Sequence, residues 1–207
     1  MFDERERVRR ILLSSLFLLV ASALSAQTRE SAYGRRTSLQ AGAEFSVFNP
    51  DFYCRNNSPF NCGNNQPLLK GVGAFGDFDV SGKIAFGAEG EARWLRWDGV
   101  GAQVESTYLI GPRYRVYQFR NLGFWVKFLV GAGDITTNNY PGPDSFKGSL
   151  LVYAPGGSLD YRLNERVSLR ADYELQKWPS FAVLPPNTHG LTPNGFSFGV
   201  VYAIRGQ

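Results

Sequence analysis

Along the stretch VSLRADYELQKW (167–178), apolar and polar side chains change places at every step. Val167, Leu169, Ala171, Tyr173 and Leu175 share one parity, and Ser168, Arg170, Asp172, Glu174 and Gln176 share the other. A strand sends successive side chains to opposite faces, so the spacing predicts a strand with one apolar and one charged face. The same alternation recurs at 37–48, 69–80, 83–94, 104–115, 124–133, 150–162 and 195–205, with no competing helical period. In the first of these, Leu39, Ala41, Ala43, Phe45 and Val47 oppose Gln40, Glu44 and Ser46; in the last, Phe196, Phe198, Val200, Tyr202 and Ile204 oppose Ser197, Gly199 and Ala203. About eight strands follow, each near the roughly ten residues that a tilted strand needs to cross a bilayer.

The connections alternate as well. Long segments at 49–66, 134–148 and 179–194 take turns with tight ones at 81–82 and 163–165. Long loops at one end and short turns at the other predict an up-and-down antiparallel meander. Two connections depart from the rule: 98–102 is short for its end, and 116–122 reads as a long turn among short ones.

Which face looks inward is decided by the whole set of strands. A soluble, exported lipocalin-like barrel would turn the apolar parity inward; a membrane barrel has an apolar outer band, aromatic girdles and a polar interior. Trp94, Trp178 and Phe196 fall near the long-loop ends and Phe78, Tyr114, Tyr161 and Tyr202 near the short-turn ends, which suggests two belts, although Trp178 sits on the polar parity. The polar parity carries Glu44, Asp77, Asp79, Glu89, Glu91, Glu105, Asp160, Asp172 and Glu174 together with Arg93, Arg113, Arg115, Lys127, Arg162, Arg170 and Arg205. Such a near-balance of acids and bases suits a narrow interior, where a charge is costly unless paired and hydrogen-bonded. Intervening Gly, Ala, Ser and Thr leave room for these long side chains. The predicted fold is therefore an all-β, up-and-down antiparallel transmembrane β-barrel over 37–205, with the charged face inward as a lumen network.

Composition adds an address. Arg5, Arg7, Arg9 and Arg10 precede an apolar run at 11–21 and the small-residue stretch ASALSA, the layout of an export signal over 1–26 with cleavage after Ala26 or, second, Ala23. The apolar run is short for a membrane-crossing helix, which needs about 20 residues. Residues 27–36 then form a short periplasmic segment. The net charge of +4 is too small to imply nucleic acid. The two cysteines, Cys54 and Cys62, lie in CRNNSPFNC, and an oxidising compartment favours a disulfide between them. A metal site is the rival reading, but the single His, His189, lies far off and two thiolates alone do not fill a zinc site. No cofactor or metal is expected.

The final stretch, Ser197-Phe198-Gly199-Val200-Val201-Tyr202-Ala203-Ile204, resembles the C-terminal assembly signal of bacterial outer-membrane barrels, carried here by Gly199, Tyr202 and Ile204. That family usually ends on Phe, where this chain has Ile204 followed by Arg205-Gly206-Gln207. GPRYR (111–115) and GGSLDYR (156–162) also resemble strands of small OmpA-like outer-membrane barrels. The resemblance implies the outer membrane of a Gram-negative-type bacterium and contact with membrane lipid and the barrel-assembly machinery; a surface ligand at the long loops is a candidate partner. A wide porin needs about 16–18 strands, more than this length holds. The expected function is a small barrel with a narrow or plugged charged lumen, a structural or surface-interaction role and at most weak ion conduction. Phe52, Tyr53 and Phe60 around the cysteine loop are binding candidates, or simply pack that loop on itself. An outer-membrane enzyme using His189 with Ser180 or Asp172 is the alternative, but no nucleophile stands at a recognisable spacing.

Overall fold

A computed structural model of the chain describes residues 36–50, 68–81, 85–97, 103–137, 146–179 and 190–205. The expected export signal, Cys54, Cys62, the aromatics beside them, Ser180 and His189 lie outside these residues. Eight antiparallel strands, each bonded to its sequence neighbours, form a closed barrel: β1 (Arg36–Asn49), β2 (Leu69–Ser81), β3 (Phe86–Trp97), β4 (Gln103–Phe119), β5 (Leu122–Thr137), β6 (Phe146–Arg162), β7 (Val167–Leu175) and β8 (Asn194–Arg205). Closure joins β8 to β1 and leaves no edge.

The registers fix the tilt. Stepping across paired residues from Ser38 leads through Asp79, Gly87, Arg113, Lys127, Gly156, Glu174 and Gly195 and returns to β1 at Phe48, ten residues beyond the start. That stagger makes each strand lean against the barrel axis. Every residue on the path faces inward, and Gly87, Gly156 and Gly195 stand beside larger residues along it. A side chain at Gly195 would run into the Phe48 ring, and one at Gly87 into Asp79.

The apolar parity lies outside on every strand. Ile110, Phe198 and Val200 are 64%, 62% and 52% exposed, with no protein over them. Outer aromatics pair across strands: Trp94 meets Tyr108 edge-on and donates from Nε1 to its hydroxyl at 3.2 Å, and Tyr173 lies 4.7 Å from Phe196 between ring centres.

Besides β5 and β6, which take in both ends of the expected 134–148 connection, three features differ from the sequence reading. The third strand runs from Phe86 to Trp97 rather than from 83 to 94. Residues 116–122 are mostly strand, closed by a two-residue turn at Arg120 and Asn121, with Arg120 at φ 50° as a primed hairpin turn requires. A bulge between Arg115 and Tyr117 explains the misreading, because it shifts parity by one and keeps Tyr117 and Phe119 outside. The third difference is Trp178, which is no girdle residue but fully buried inside. Residues 176–178 and 191–193 continue the β7–β8 hairpin past the named strands: Gln176 bonds Pro193, Trp178 bonds Leu191 in both directions, and Lys177 bonds Tyr153 of β6. Trp178 keeps the inward parity of Glu174 and Gln176, so its ring enters the barrel.

There it packs with Leu109, Leu129, Ile135, Val152, Ala154 and Leu191, while Phe48, Leu69 and Leu95 form a second apolar group near the long-loop ends of β1, β2 and β3. Gly133 gives the indole its space, since a Cβ there would strike the ring. Trp178→Ala is expected to lower the unfolding free energy by about 3–5 kcal/mol, the usual cost of emptying a buried aromatic site. Denaturant titration of the barrel folded in lipid vesicles measures it.

Candidate functional site: the buried charge network

The interior between the apolar groups and the short-turn end is filled by ions, and Glu105 lies at the level of the apolar groups, paired with Leu95 and Ile135. Glu44 (β1), Asp77 and Asp79 (β2), Glu89 and Glu91 (β3), Glu105 (β4), and Asp172 and Glu174 (β7) are buried, as are Arg93 (β3), Arg113 (β4), Lys127 (β5) and Arg170 (β7). Their positions follow from parity: on each strand they are separated by an even number of residues, so one face collects them.

Arg93 stands between three acids, Glu44 at 3.1 Å, Glu91 at 2.7 Å and Glu174 at 3.0 Å. Lys127 reaches Glu89 at 2.7 Å, Asp172 at 2.9 Å, Glu91 at 3.3 Å and Glu174 at 3.5 Å. Arg170 binds Asp77 and Asp160, each at 2.6 Å, and Glu89 at 3.3 Å. Arg113 pairs with Asp77, Glu89 and Asp160 and lies 3.6 Å from Asp79. Glu89 accepts from Arg113, Lys127 and Arg170 alike, so it ties the two arginines nearer the short-turn end to Lys127 and, through Glu91 and Glu174, to Arg93.

Each buried arginine also lies over an inward aromatic ring: Arg93 over Phe48 at 4.6 Å, Arg113 over Trp125 at 4.0 Å and Arg170 over Phe75 at 4.4 Å. A desolvated cation over a ring gains about 2 kcal/mol, so these rings offset part of the cost of burying the guanidinium. A hydrogen-bonded chain links network and apolar group: Trp178 Nε1 donates to Gln176 at 2.9 Å, Gln176 Nε2 to Glu174 at 2.9 Å, and Arg93 to that same Glu174 oxygen.

The structure separates some residues that the sequence groups. Asp160 is half-buried but joins the network, whereas Arg162 does not: at the end of β6 its side chain is exposed. Arg115 is also only half-buried. Among the described residues eight acids and four bases are buried, while Arg115, Asp160 and Arg162 of the same parity border the interior cavity at the short-turn end. Strand-end arginines reach water along their flexible stems, while carboxylates on short stems stay where the backbone puts them. Gly199 lies inward beside Glu44, and Tyr202 and Ile204 are exposed on the outer face of β8. Gln103 and Trp125 are further inward residues; parity carried one position earlier than 104 finds the first, and the parity of Lys127 finds the second.

At the short-turn end the interior opens into a cavity of about 180 Å³, bordered by Gln40, Asp79, Arg115, Trp125, Asp160 and Arg162 among others. Arg93→Met leaves three buried acids facing no guanidinium, and a loss of about 3–5 kcal/mol is expected, as for breaking a buried pair by removing one partner. Equilibrium unfolding in lipid vesicles reads this directly.

Comparison with known proteins agrees with this geometry. No curated protein sequence matches the chain. Among solved structures, neisserial surface protein A is similar at 10% identity and a TM-score of 0.51, covering 80% of this chain and 96% of that one. Ail of Yersinia pestis, in complex with the heparin analogue sucrose octasulfate, is similar at 15% identity and a TM-score of 0.50, covering 82% and 99%. The N-terminal β-barrel domain of Pseudomonas aeruginosa OprF is similar at 12% identity and a TM-score of 0.50, covering 82% and 99%. At these identities the likeness establishes the fold. The outer membrane protein beta-barrel domain family matches residues 14–203, nearly the whole chain. A closed barrel with an apolar exterior, matched by this family over residues 14–203, identifies the chain as a member of the outer membrane protein β-barrel domain family, resident in the outer membrane.

Proposed function

We propose that this outer-membrane barrel has a plugged, charged interior and a structural or surface-interaction role without enzymatic activity, conducting ions weakly at most. The observation that carries the reading is the continuous filling from Trp178 through Gln176, Glu174 and Arg93 to Lys127, Glu89 and Arg170. An ion entering from the long-loop end meets the buried Trp178 indole first and the Arg93 and Lys127 ion pairs next. The cavity bordered by Gln40, Asp79, Arg115 and Arg162 opens the interior at the short-turn end.

Four further features belong to the same reading: export by a cleaved signal over 1–26, a short periplasmic segment at 27–36, recognition of Gly199, Tyr202 and Ile204 by the barrel-assembly machinery, and a disulfide between Cys54 and Cys62. Interaction with a surface ligand falls to the long connections, because the transmembrane outer face is committed to lipid.

The wild-type barrel in planar bilayers is expected to give rare, small openings, and Trp178→Ala combined with Arg170→Ala to give frequent ones. Unboiled samples of both should still migrate as the compact, heat-sensitive form on a detergent gel. A wild-type barrel with steady, porin-sized conductance would contradict the plugged interior.

A further inference from the structure

The arginines left out of the buried network gather at the short-turn mouth. Arg115 and Arg162 border the cavity of about 180 Å³ there, together with Asn121, Gly123 and Trp125. Neither guanidinium forms a hydrogen bond or an ion pair among the described residues; that of Arg115 lies only over the Trp125 ring, 5.5 Å from its centre. Two acids share the lining, but both turn toward the network. Asp160 accepts from Arg170 at 2.6 and 2.9 Å and from Arg113 at 3.2 Å, so both of its oxygens are engaged. Asp79 is 5% exposed and leans over Gly87, 3.6 Å from Arg113. Arg115 and Arg162 are therefore the charged donors of the cavity without an acid of their own. Arg120 and Arg166 on the adjoining turns are exposed as well, against Glu165 alone, which makes this mouth attractive to anions.

The cavity also has a floor. Gly123 faces inward between Gln118 of β4 and Asp160 of β6. A Cβ there would meet only Trp125 Nε1 at 3.4 Å and Arg115 Cδ at 4.0 Å. Trp125 is 6% exposed, and its indole N–H has no acceptor among the described residues. A buried donor and an arginine stem thus flank the empty space over Gly123. Arg162 lies two residues beyond Asp160 on the same face of β6. Asn121 accepts from its backbone N–H at 2.8 Å and donates from Nδ2 to its carbonyl at 3.2 Å, which fixes the base of this second arginine at the mouth.

We infer that this mouth binds a phosphate-class oxyanion from the periplasmic side, held by the Arg115 and Arg162 guanidiniums and the Trp125 indole N–H over Gly123. All three groups donate and none accepts, which fits a ligand with acceptor oxygens on every side. Planar guanidiniums take such oxygens two at a time. The phosphate is either free in solution or carried by an anionic lipid of the inner leaflet. The site lies outside the plug and holds whether or not the deeper interior conducts.

The test uses the whole chain folded in maltoside micelles, titrated with sodium phosphate or with sodium chloride at equal ionic strength. Nitrogen–proton NMR follows the Trp125 indole resonance, assigned by its loss in Trp125→Phe. A second arm adds phosphatidylglycerol to the micelles before the titration. Phosphate is expected to shift the Trp125 signal saturably, chloride to leave it in place, and neither to move Trp94. Arg115→Gln and Arg162→Gln should each weaken binding about tenfold, the loss of one charge-assisted hydrogen bond. Arg120→Gln, on the turn outside the cavity, should leave it unchanged. A shift already produced by phosphatidylglycerol, with no further response to phosphate, assigns the site to a lipid headgroup; a shift with free phosphate alone assigns it to a soluble ion. A wild-type Trp125 signal that moves in neither arm would overturn the site without recourse to a variant. Equal weakening by Arg120→Gln and Arg115→Gln would mean diffuse attraction to a basic rim and overturn it too.

Discussion

Within hydrocarbon an unpaired backbone amide or carbonyl costs several kcal/mol, so strands that enter a bilayer must close into a ring. Closure with eight strands and a ten-residue stagger sets a width that side chains just fill. What fills it is then dictated by the outer face. Because lipid takes the apolar parity, the interior inherits the polar one, and its charges must satisfy each other with little help from water. The network around Arg93, Lys127, Arg113 and Arg170, and the inward aromatics under the three arginines, answer that requirement.

Size complementarity and charge complementarity are solved together. Glycines stand beside the bulkiest inward side chains, Gly133 beside Trp178, Gly195 beside Phe48 and Gly199 beside Glu44. Charge is matched less completely than volume. Glu89 and Asp77 each meet several cations, whereas Glu105 meets none of its own. Removing single members of such a network has unequal consequences: a lost cation strands several acids, while a lost acid at an over-supplied position relieves the rest.

The strand order and the two faces were legible in the sequence because period-2 alternation survives in every strand. At Val167–Leu175 a single stretch already separates Arg170, Asp172 and Glu174 from Leu169 and Tyr173. The signal failed where the alternation itself changes. At Val116 a bulge inserts one residue, the parity of Tyr117 and Phe119 flips, and strand is mistaken for turn. Trp178 misleads by residue type: a tryptophan near a strand end suggests a membrane belt, but its parity, which places it inside, was the better guide. Arg162 shares the parity of the network but sits at a strand terminus, where a long side chain can leave the interior, and alternation carries no information about depth. The partnerless state of Glu105 depends on where neighbouring guanidinium groups turn, which no single-strand pattern encodes.

Trp94 faces outward, whereas Trp125 and Trp178 face inward, so the chain carries its own probes of which face meets lipid. The most direct measurement is fluorescence quenching by brominated acyl chains of three single-tryptophan variants, each retaining one of these residues and lacking Trp97 as well, refolded into vesicles. Strong quenching of Trp94 with little quenching of Trp125 and Trp178 is the predicted result. Quenching of Trp125 and Trp178 with Trp94 spared would turn the barrel inside out and contradict the account.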